Sequence, residues 1–158
     1  HHWDPALPTF PGSFSGSMFH SHAFKRVDDS YRGKRVLVIG AGNSACDIAV
    51  ETARVAQRTC ISMRSGQWFV PKFMFGVPSD LFNLRFRWLP TPIYRFLSTQ
   101  TLYLLQGRFR DYGLPAPRRP LFTQHITLNS ELLYFIRHGE IQPRPGIQRL
   151  AGEHVVFA

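Results

Sequence analysis

The sequence has few cysteines and no long apolar run, and each shortage excludes a class of protein. Its 158 residues include two cysteines, Cys46 and Cys60, which is too few for a small secreted scaffold built on disulfides. No apolar stretch approaches the ~20 residues that a membrane-spanning helix needs. A hydrophobic content of 44% excludes a disordered tail. We therefore expect a folded protein of a reduced, cytoplasmic compartment, with a core of its own.

Two kinds of site are also missing from the sequence. No Ser-His-Asp set and no pair of carboxylates is arranged in a way that suggests hydrolysis. His20 and His22 have the spacing of metal ligands, and His1 and His2 are near them in sequence. Because no cluster of Cys, Asp or Glu completes a coordination shell, we predict no metal site.

Regular structure is clearest in residues 35–63. Residues 35–39 are a short apolar run that ends at Gly40, which is typical of a strand buried on both faces of a parallel sheet. Residues 59–63 indicate a second strand, and the residues between the two strands have helical spacing. The small or apolar members of that spacing are Ala45, Ile48, Ala49, Thr52, Ala53 and Ala56. The whole segment predicts a βαβ unit.

The strongest local motif lies at the junction of the first strand and the helix. It is a G-x-G-x-x-A pattern, Gly40-Ala41-Gly42-Asn43-Ser44-Ala45. In such a motif the first glycine permits a tight turn, the second lets a pyrophosphate approach the backbone, and a small third residue lets the helix pack on the strand. The helix N-terminus then binds the phosphates. The motif therefore predicts a dinucleotide site.

The residue after the second strand indicates which dinucleotide binds. Sites for NAD usually carry Asp or Glu there, about 20 residues after the glycines, to bind the ribose hydroxyls. This sequence instead has Arg64, followed by Ser65. A guanidinium binds a 2′-phosphate that a carboxylate would repel, so we predict NADPH rather than NADH.

Proline divides the middle of the chain into short pieces, with one predicted helix at about residues 93–106. The segment 129–131 predicts the cap of a later helix, which has Leu132, Leu133 and Ile136 on one face and stops at Gly139.

Residues 140–142 predict a third parallel strand, and residues 147–150 and 154–157 predict a hairpin. The expected fold class is α/β, a Rossmann-like three-layer nucleotide-binding domain with helices on both faces of its sheet. It would also contain an inserted helical segment and a C-terminal β-hairpin.

Two side chains near these elements have two interpretations, and a third has one. His125 and Asn129 lie where they would face the cofactor, but capping at a loop-to-helix junction explains them equally well. Asp47 follows the glycine turn, where a carboxylate interacts favourably with the helix dipole.

Upstream of the glycine turn, the sequence fits the pattern F-x-G-x-x-x-H-x-x-x-[F/Y]. Its motif positions are Phe14, Gly16, His20 and Phe24. With GKRVLVIGAGNSACDIA, SMRSGQW and the closing NSELL, HGEI and PGI, this pattern resembles the flavin-containing monooxygenases, class B flavoprotein monooxygenases, over nearly the whole chain. The related Baeyer–Villiger monooxygenases usually end the first pattern in Trp, which is not present here.

The resemblance implies an enzyme that uses FAD, NADPH and O2 to oxygenate a small-molecule amine or thioether, an N,N-dimethylaniline-type monooxygenase. It implies that Arg64 and Ser65 bind the 2′-phosphate and that His20 organises the linker between the flavin and NADPH domains. The residues that would line the other cofactor phosphates are Gly40, Gly42, Asn43, Ser44 and Ala45. The protein positions the reactants and excludes water, while the flavin performs the bond making, so no catalytic residue is assigned.

The first glycine-rich turn of that family, which binds FAD, is absent, and so is its later A-T-G-Y type segment. The sequence also starts without Met and stops within the apolar run EHVVFA. We therefore expect a segment of a longer enzyme, inactive in isolation, whose FAD domain is on the same chain. Residues 1–32 would be the linker with the F-x-G-x-x-x-H motif, and residues 33–158 the NADPH-binding domain, with an insertion at about 67–120. The alternatives are a non-catalytic NADP(H)-binding module and a fragment of a Baeyer–Villiger-type monooxygenase or flavin-dependent reductase.

The charge of +9 is concentrated in that insertion, which has eight basic and two acidic residues. It interleaves arginines with aromatic residues, a composition compatible with nucleic-acid binding. In the other interpretation, its apolar residues cover the rest of the enzyme and its arginines face solvent or an anionic membrane surface. We favour the second interpretation because the cofactor motif already gives the chain a function. We therefore predict no nucleic-acid partner. The residues concerned are Arg85, Arg87, Arg95, Arg108, Arg110, Arg118 and Arg119, with Phe82, Phe86, Trp88, Tyr94 and Phe109.

Overall fold

The computed structural model describes residues 7–86 and 88–158, so His1, His2 and Arg87 lie outside the described residues. The fold is mixed α/β. Its strands are β1 Gly12–Phe14, β2 Arg35–Ile39, β3 Arg58–Ser62, β4 Phe69–Val70, β5 Phe73–Met74, β6 Val77–Pro78, β7 Thr127–Leu128, β8 Ile141–Arg144, β9 Ile147–Gly152 and β10 His154–Phe157. Its α-helices are α1 Asn43–Ala53, α2 Ser79–Leu84, α3 Thr91–Gln106 and α4 Leu132–Arg137. Short 3-10 helices occupy Ser21–Ala23, Asp29–Tyr31 and Phe109–Tyr112.

A parallel sheet in the order β2-β3-β8 forms the centre of the fold. Ile39 is paired with Ser62 at the carboxyl ends of β2 and β3. The predicted βαβ unit and the predicted third parallel strand are both observed. Because parallel strands end at the same edge of a sheet, the loops that follow β2, β3 and β8 lie side by side.

Helix α1 is shorter than its sequence pattern predicts. It ends at Ala53, whereas the predicted apolar spacing continued to Ala56. The amides of Val55 and Ala56 both bond to the Thr52 carbonyl, which closes the last turn, and Ala56 forms a bridge with Arg32.

Helices α1 and α4 pack against each other and against β8. One core contains buried residues of both helices and of the three parallel strands, so the two helices cover the same face of the sheet. These residues are Val38, Cys46, Ala49, Val50, Ile61, Leu132, Phe135, Ile136 and Ile141.

The opposite face of β2 is less buried than predicted. Leu37 is half-buried and Ile39 is 39% exposed, so the expectation of a strand buried on both faces is wrong for this strand. The physical reason is that α1 and α4 lie together on the face of Val38.

The middle segment contains the predicted helix, now bounded as α3, and two short strand pairs. Strand β4 pairs in parallel with β7, and β5 pairs antiparallel with β6. A second apolar cluster forms beneath them from Trp68, Val70, Met74, Leu102 and Leu121. Among the described residues, no helix has the length and apolar character needed to cross a bilayer.

A second three-stranded sheet has the order β1-β9-β10. The antiparallel pair β9-β10 is the predicted hairpin. Strand β1 was not predicted, because residues 1–32 were interpreted as a linker, and it pairs in parallel with β9. Gly12 is required there, since its φ is +90° and a Cβ atom would overlap the carbonyl oxygen of Leu150.

Candidate functional site

The glycine turn connects β2 to α1 at the carboxyl edge of the parallel sheet. The Gly40 amide donates to the Ser62 carbonyl at 2.9 Å, so the turn begins directly beside the end of β3. Gly40 has a φ of +120°, which side chains rarely permit. A Cβ there would lie an ordinary 3.8 Å from the Ala45 Cβ, so backbone conformation rather than crowding requires the glycine.

Gly42 leaves open space at the start of α1. It is exposed, and a Cβ on it would meet no atom within 4 Å. Within the part of the chain that the structure describes, no side chain caps this helix, whose first intrahelical bond runs from the Cys46 amide to the Gly42 carbonyl at 3.0 Å. The amides of Asn43, Ser44 and Ala45 precede that bond and point out of the helix end. Open space and uncapped amides fit a bound phosphate group.

Strand β7 and the residue after it contact the glycine turn at two points and helix α1 at a third. The Thr127 hydroxyl donates to the Ala41 carbonyl at 2.7 Å, and the Leu128 amide donates to Asn43 Oδ1 at 2.9 Å. One residue later, Asn129 Nδ2 lies 2.9 Å from the Asp47 carboxylate. Sequence reasoning missed Thr127 and Leu128, because a Thr-Leu pair is no motif and its partners lie far away in the chain.

The structure resolves the two interpretations of Asn129. Its side chain is buried, and its Oδ1 accepts hydrogen bonds from the amides of Glu131 and Leu132 at 2.9 and 2.6 Å. Asn129 is therefore a capping residue of α4. Asp47 lies beyond the first turn of α1, so the expected interaction with the helix dipole is wrong, and its carboxylate instead accepts a hydrogen bond from Asn129 Nδ2. His125 is exposed, and its described contact is through its carbonyl oxygen, which accepts from Gln67 Nε2.

Arg64 and Ser65 follow β3 at the same edge as the glycine turn, and both are exposed. A Cβ on Gly146, after β8, would lie 3.5 Å from the Arg64 Cα, so the absence of a side chain there leaves space beside the arginine. Among the described contacts of Arg64 there is no ion pair or hydrogen bond of its guanidinium. The structure thus brings this cation and the glycine turn to the ends of adjacent strands.

Comparison with known proteins identifies the family. A family model described as flavin-binding monooxygenase-like matches residues 1–158. The chain belongs to the flavin-containing monooxygenase family. Flavin-containing monooxygenase 1 of Canis lupus familiaris is 38% identical over 165 residues, which cover 98% of this chain and 30% of that protein. Flavin-containing monooxygenase 3 of Rattus norvegicus is 37% identical over 172 residues, covering 99% and 31%.

The chain therefore spans about 30% of the length of the curated relatives that it matches. The resemblance drawn from the sequence motifs is confirmed at the level of the family. Flavin-containing monooxygenases are flavoprotein oxidoreductases that use FAD and NADPH.

The first family motif lies along the N-terminal segment of the chain. Phe14 is in β1, and a Cβ on Gly16 would crowd the Phe14 ring at 2.6 Å. His20 Nδ1 accepts from the His22 amide at 3.1 Å at the start of a 3-10 helix that lies beside α1. The Phe24 ring meets the Tyr31 ring edge-on, with centroids 6.0 Å apart. The described contacts of these motif residues do not join them to Arg64.

The two cysteine thiols are free, and both are at least partly buried within the fold. Cys46 is fully buried, and burial, assisted by the Asp47 charge, raises the pKa of its thiol to about 12. Cys60 is half-buried in β3. Residues 7–86 and 88–158 contain no group of three or more His, Cys, Asp or Glu side chains that could hold a metal ion.

Proposed function

We propose that this chain is the NADPH-binding portion of a flavin-containing monooxygenase that oxygenates nitrogen- or sulfur-containing small molecules with FAD, NADPH and O2. The observation that carries the proposal is the placement of Gly42 and Arg64. An open, uncapped helix start and an arginine without a described ion pair lie at the ends of two adjacent parallel strands. Phosphate groups bind at helix starts of this kind, and a guanidinium suits a further phosphate.

In this proposal the chain's own residues bind and orient the cofactor. The pyrophosphate lies against the turn, where the exposed Gly42 lets it approach the backbone. Arg64 and Ser65 bind the 2′-phosphate, which distinguishes NADPH from NADH. The remaining residues of the cofactor site are Gly40, Asn43, Ser44 and Ala45. NADPH supplies the hydride that reduces the flavin when both are bound, and this chain holds its phosphates in place.

The proposed domain boundaries follow from this function. Residues 1–32 form the linker toward an FAD domain, and residues 33–158 form a Rossmann-like NADPH domain with the insertion 67–120. Pairing of β1 with β9 attaches the linker to the hairpin of the NADPH domain. A three-layer domain requires a further layer on the sheet face where Ile39 is 39% exposed.

The insertion is proposed to face another part of the enzyme or a membrane surface. Trp88 is 79% exposed and Leu104 is 86% exposed, in a segment that carries eight basic residues. Apolar side chains flanked by cations suit an anionic bilayer surface. Sedimentation with anionic and with neutral phospholipid vesicles tests this contact, since a membrane surface role requires retention on the anionic vesicles.

Cofactor binding is the direct test of the proposed function. Isothermal titration calorimetry of the chain with NADP+ and with NAD+ should give tighter binding of NADP+, by about tenfold or more, because a charge-assisted hydrogen bond contributes ~1.5–3 kcal/mol. Arg58→Ala is the matched control for Arg64→Ala, because Arg58 is also exposed but lies at the opposite end of β3. Equal affinity for the two dinucleotides, or binding of neither, would contradict the proposal.

The enzyme and the non-catalytic module are separated by an activity measurement. The protein encoded by the complete reading frame is assayed for amine- or thioether-dependent oxygenation in the presence of FAD, NADPH and O2. Oxygenated product supports the enzyme. Binding of NADP+ without product formation for any amine or thioether favours the module.

A further inference from the structure

We infer that Thr127 is a positioning residue for the nucleotide site, because its hydroxyl sets the direction in which the Gly42 amide points. The inference rests on the proposed function, and it assigns a specific task to a residue that lies outside the glycine motif. Thr127 is fully buried, with 0% of its surface exposed, and its Oγ1 lies 2.7 Å from the Ala41 carbonyl oxygen.

The peptide bond between Ala41 and Gly42 transmits this contact. No described peptide bond is cis, and in a trans peptide the carbonyl and the following amide hydrogen point in opposite directions. Holding the Ala41 oxygen toward buried Thr127 therefore turns the Gly42 hydrogen away from the core. Gly42 is exposed, so its amide faces the space in which the phosphate is proposed to bind.

The backbone around Thr127 is itself well held. Its amide donates to the Trp68 carbonyl at 2.8 Å, and the amide of Asn129 donates to the Val70 carbonyl at 3.1 Å. Backbone hydrogen bonds to β4 thus hold strand β7 in the position from which it contacts the glycine turn. Without the contact from Thr127, the amides of the glycine turn would become ordered only when the ligand binds. The entropy lost in that ordering would lower the affinity.

Neighbouring groups cannot replace the hydroxyl. Cys46 Sγ is 3.8 Å from the same Ala41 oxygen, but a thiol is a weak donor. The Leu128 amide donates its hydrogen bond to the Asn43 side chain, so it does not bond to the Ala41 carbonyl. Removing the Thr127 hydroxyl frees the peptide between Ala41 and Gly42 to rotate.

The test compares three variants of the chain. Thr127→Val removes the hydroxyl at nearly constant volume, and Thr127→Ser retains it. Thr59→Val is the matched control, because Thr59 is also buried, at 1% exposed, but its Oγ1 has no hydrogen-bond partner among the described residues. Each variant is titrated calorimetrically with NADP+, and its melting temperature is measured in the same buffer.

We expect Thr127→Val to weaken NADP+ binding about tenfold, which corresponds to the loss of one hydrogen bond. Thr127→Ser should bind within about threefold of the wild type, and Thr59→Val should bind like the wild type. A purely structural role for Thr127 would lower the melting temperature of Thr127→Val without changing the affinity of the folded protein. Thr127→Ala is the second hydroxyl-free variant, to be used should Thr127→Val not fold.

The outcomes distinguish failure of the positioning role of Thr127 from failure of the proposed NADPH-binding function. Wild-type affinity in Thr127→Val, or failure of Thr127→Ser to restore binding, would overturn the positioning role while the wild type still binds NADP+. Absence of NADP+ binding by the wild-type chain would instead overturn the proposed function.

Discussion

The side-chain amide of Asn129 donates to the carboxylate of Asp47, with Nδ2 and Oδ1 2.9 Å apart. The other end of the same side chain accepts the Glu131 and Leu132 amides at the start of α4. One buried residue therefore joins α1 to the start of α4, and these two helices lie on the same face of the sheet. Because α1 begins at the glycine turn, this contact also fixes the helix start proposed to bind phosphate.

Asn129→Ala should lower the free energy of unfolding by about 1–3 kcal/mol, since it removes a helix cap and leaves buried backbone donors unpaired. Asn129→Asp keeps the cap acceptor but places a second carboxylate beside Asp47. The double variant Asp47→Asn/Asn129→Asp exchanges the two partners and should recover most of the loss. Urea denaturation of the three variants measures these differences, and an unchanged Asn129→Ala would contradict the assigned role.

Arg64→Ala should raise the dissociation constant of NADPH by about 10- to 100-fold and leave that of NADH nearly unchanged. The reason is that only NADPH carries the 2′-phosphate that a charge-assisted contact can recognise. Fluorescence titration with each reduced dinucleotide measures both constants. Arg58→Ala, at the other end of β3, should change neither. Equal losses for the two cofactors would show that Arg64 does not read the phosphate.

Two glycines of the turn should respond differently to alanine. Gly42 has a φ of −76° and space for a Cβ, so Gly42→Ala should fold with at most ~1 kcal/mol of lost stability from the weaker helix cap. Its new methyl group occupies the space proposed for the pyrophosphate and should weaken NADP+ binding strongly. Gly40 has a φ of +120°, so Gly40→Ala should instead lower the melting temperature through backbone strain. Thermal melting and calorimetric titration of both variants test the distinction, which fails if Gly42→Ala binds normally.

The buried thiol of Cys46 should make stability depend on alkaline pH. Burial raises its pKa from an ordinary value of 9.0 to about 12, so the folded state holds its proton more tightly than the unfolded state does. The raised pKa has no effect well below pH 9, and it lowers the free energy of unfolding by about 1.4 kcal/mol per pH unit between about 9 and 12.

The comparison that isolates this effect is wild type against Cys46→Ala in urea at pH 8 and pH 10. The wild type should lose about 1.4 kcal/mol more than the variant over that interval, because other alkaline groups are common to both proteins. A difference that stays constant between the two pH values would show that Cys46 ionises normally.

Local sequence patterns predicted the strands and helices whose apolar spacing and capping residues lie within the element itself. The runs around Val38 and Ile61 and the cap at Asn129 indicated the βαβ unit and α4, because apolar spacing and capping residues lie within the element that they define. The glycine turn and Arg64 were named as site residues for the same reason, since their motifs are contiguous.

The contacts between distant segments were not predictable in this way. The bond from Thr127 to the Ala41 carbonyl depends on where β7 lies, and that follows from its pairing with β4. The exposure of Ile39 depends on both helices packing on one face of the sheet. Neither relationship leaves a pattern in the sequence, because each is decided by the packing of whole elements.

The pairing of β1 with β9 has a consequence for folding during synthesis. Gly12 is among the first described residues, and its partner Leu150 is among the last. The N-terminal strand therefore has no template until β9 has left the ribosome, whereas α1 can dock on β2 and β3 much earlier. Contacts between such distant segments slow folding, because a large loop must close before they form. We expect hydrogen-exchange protection to reach the βαβ unit first and the Gly12–Phe14 amides last.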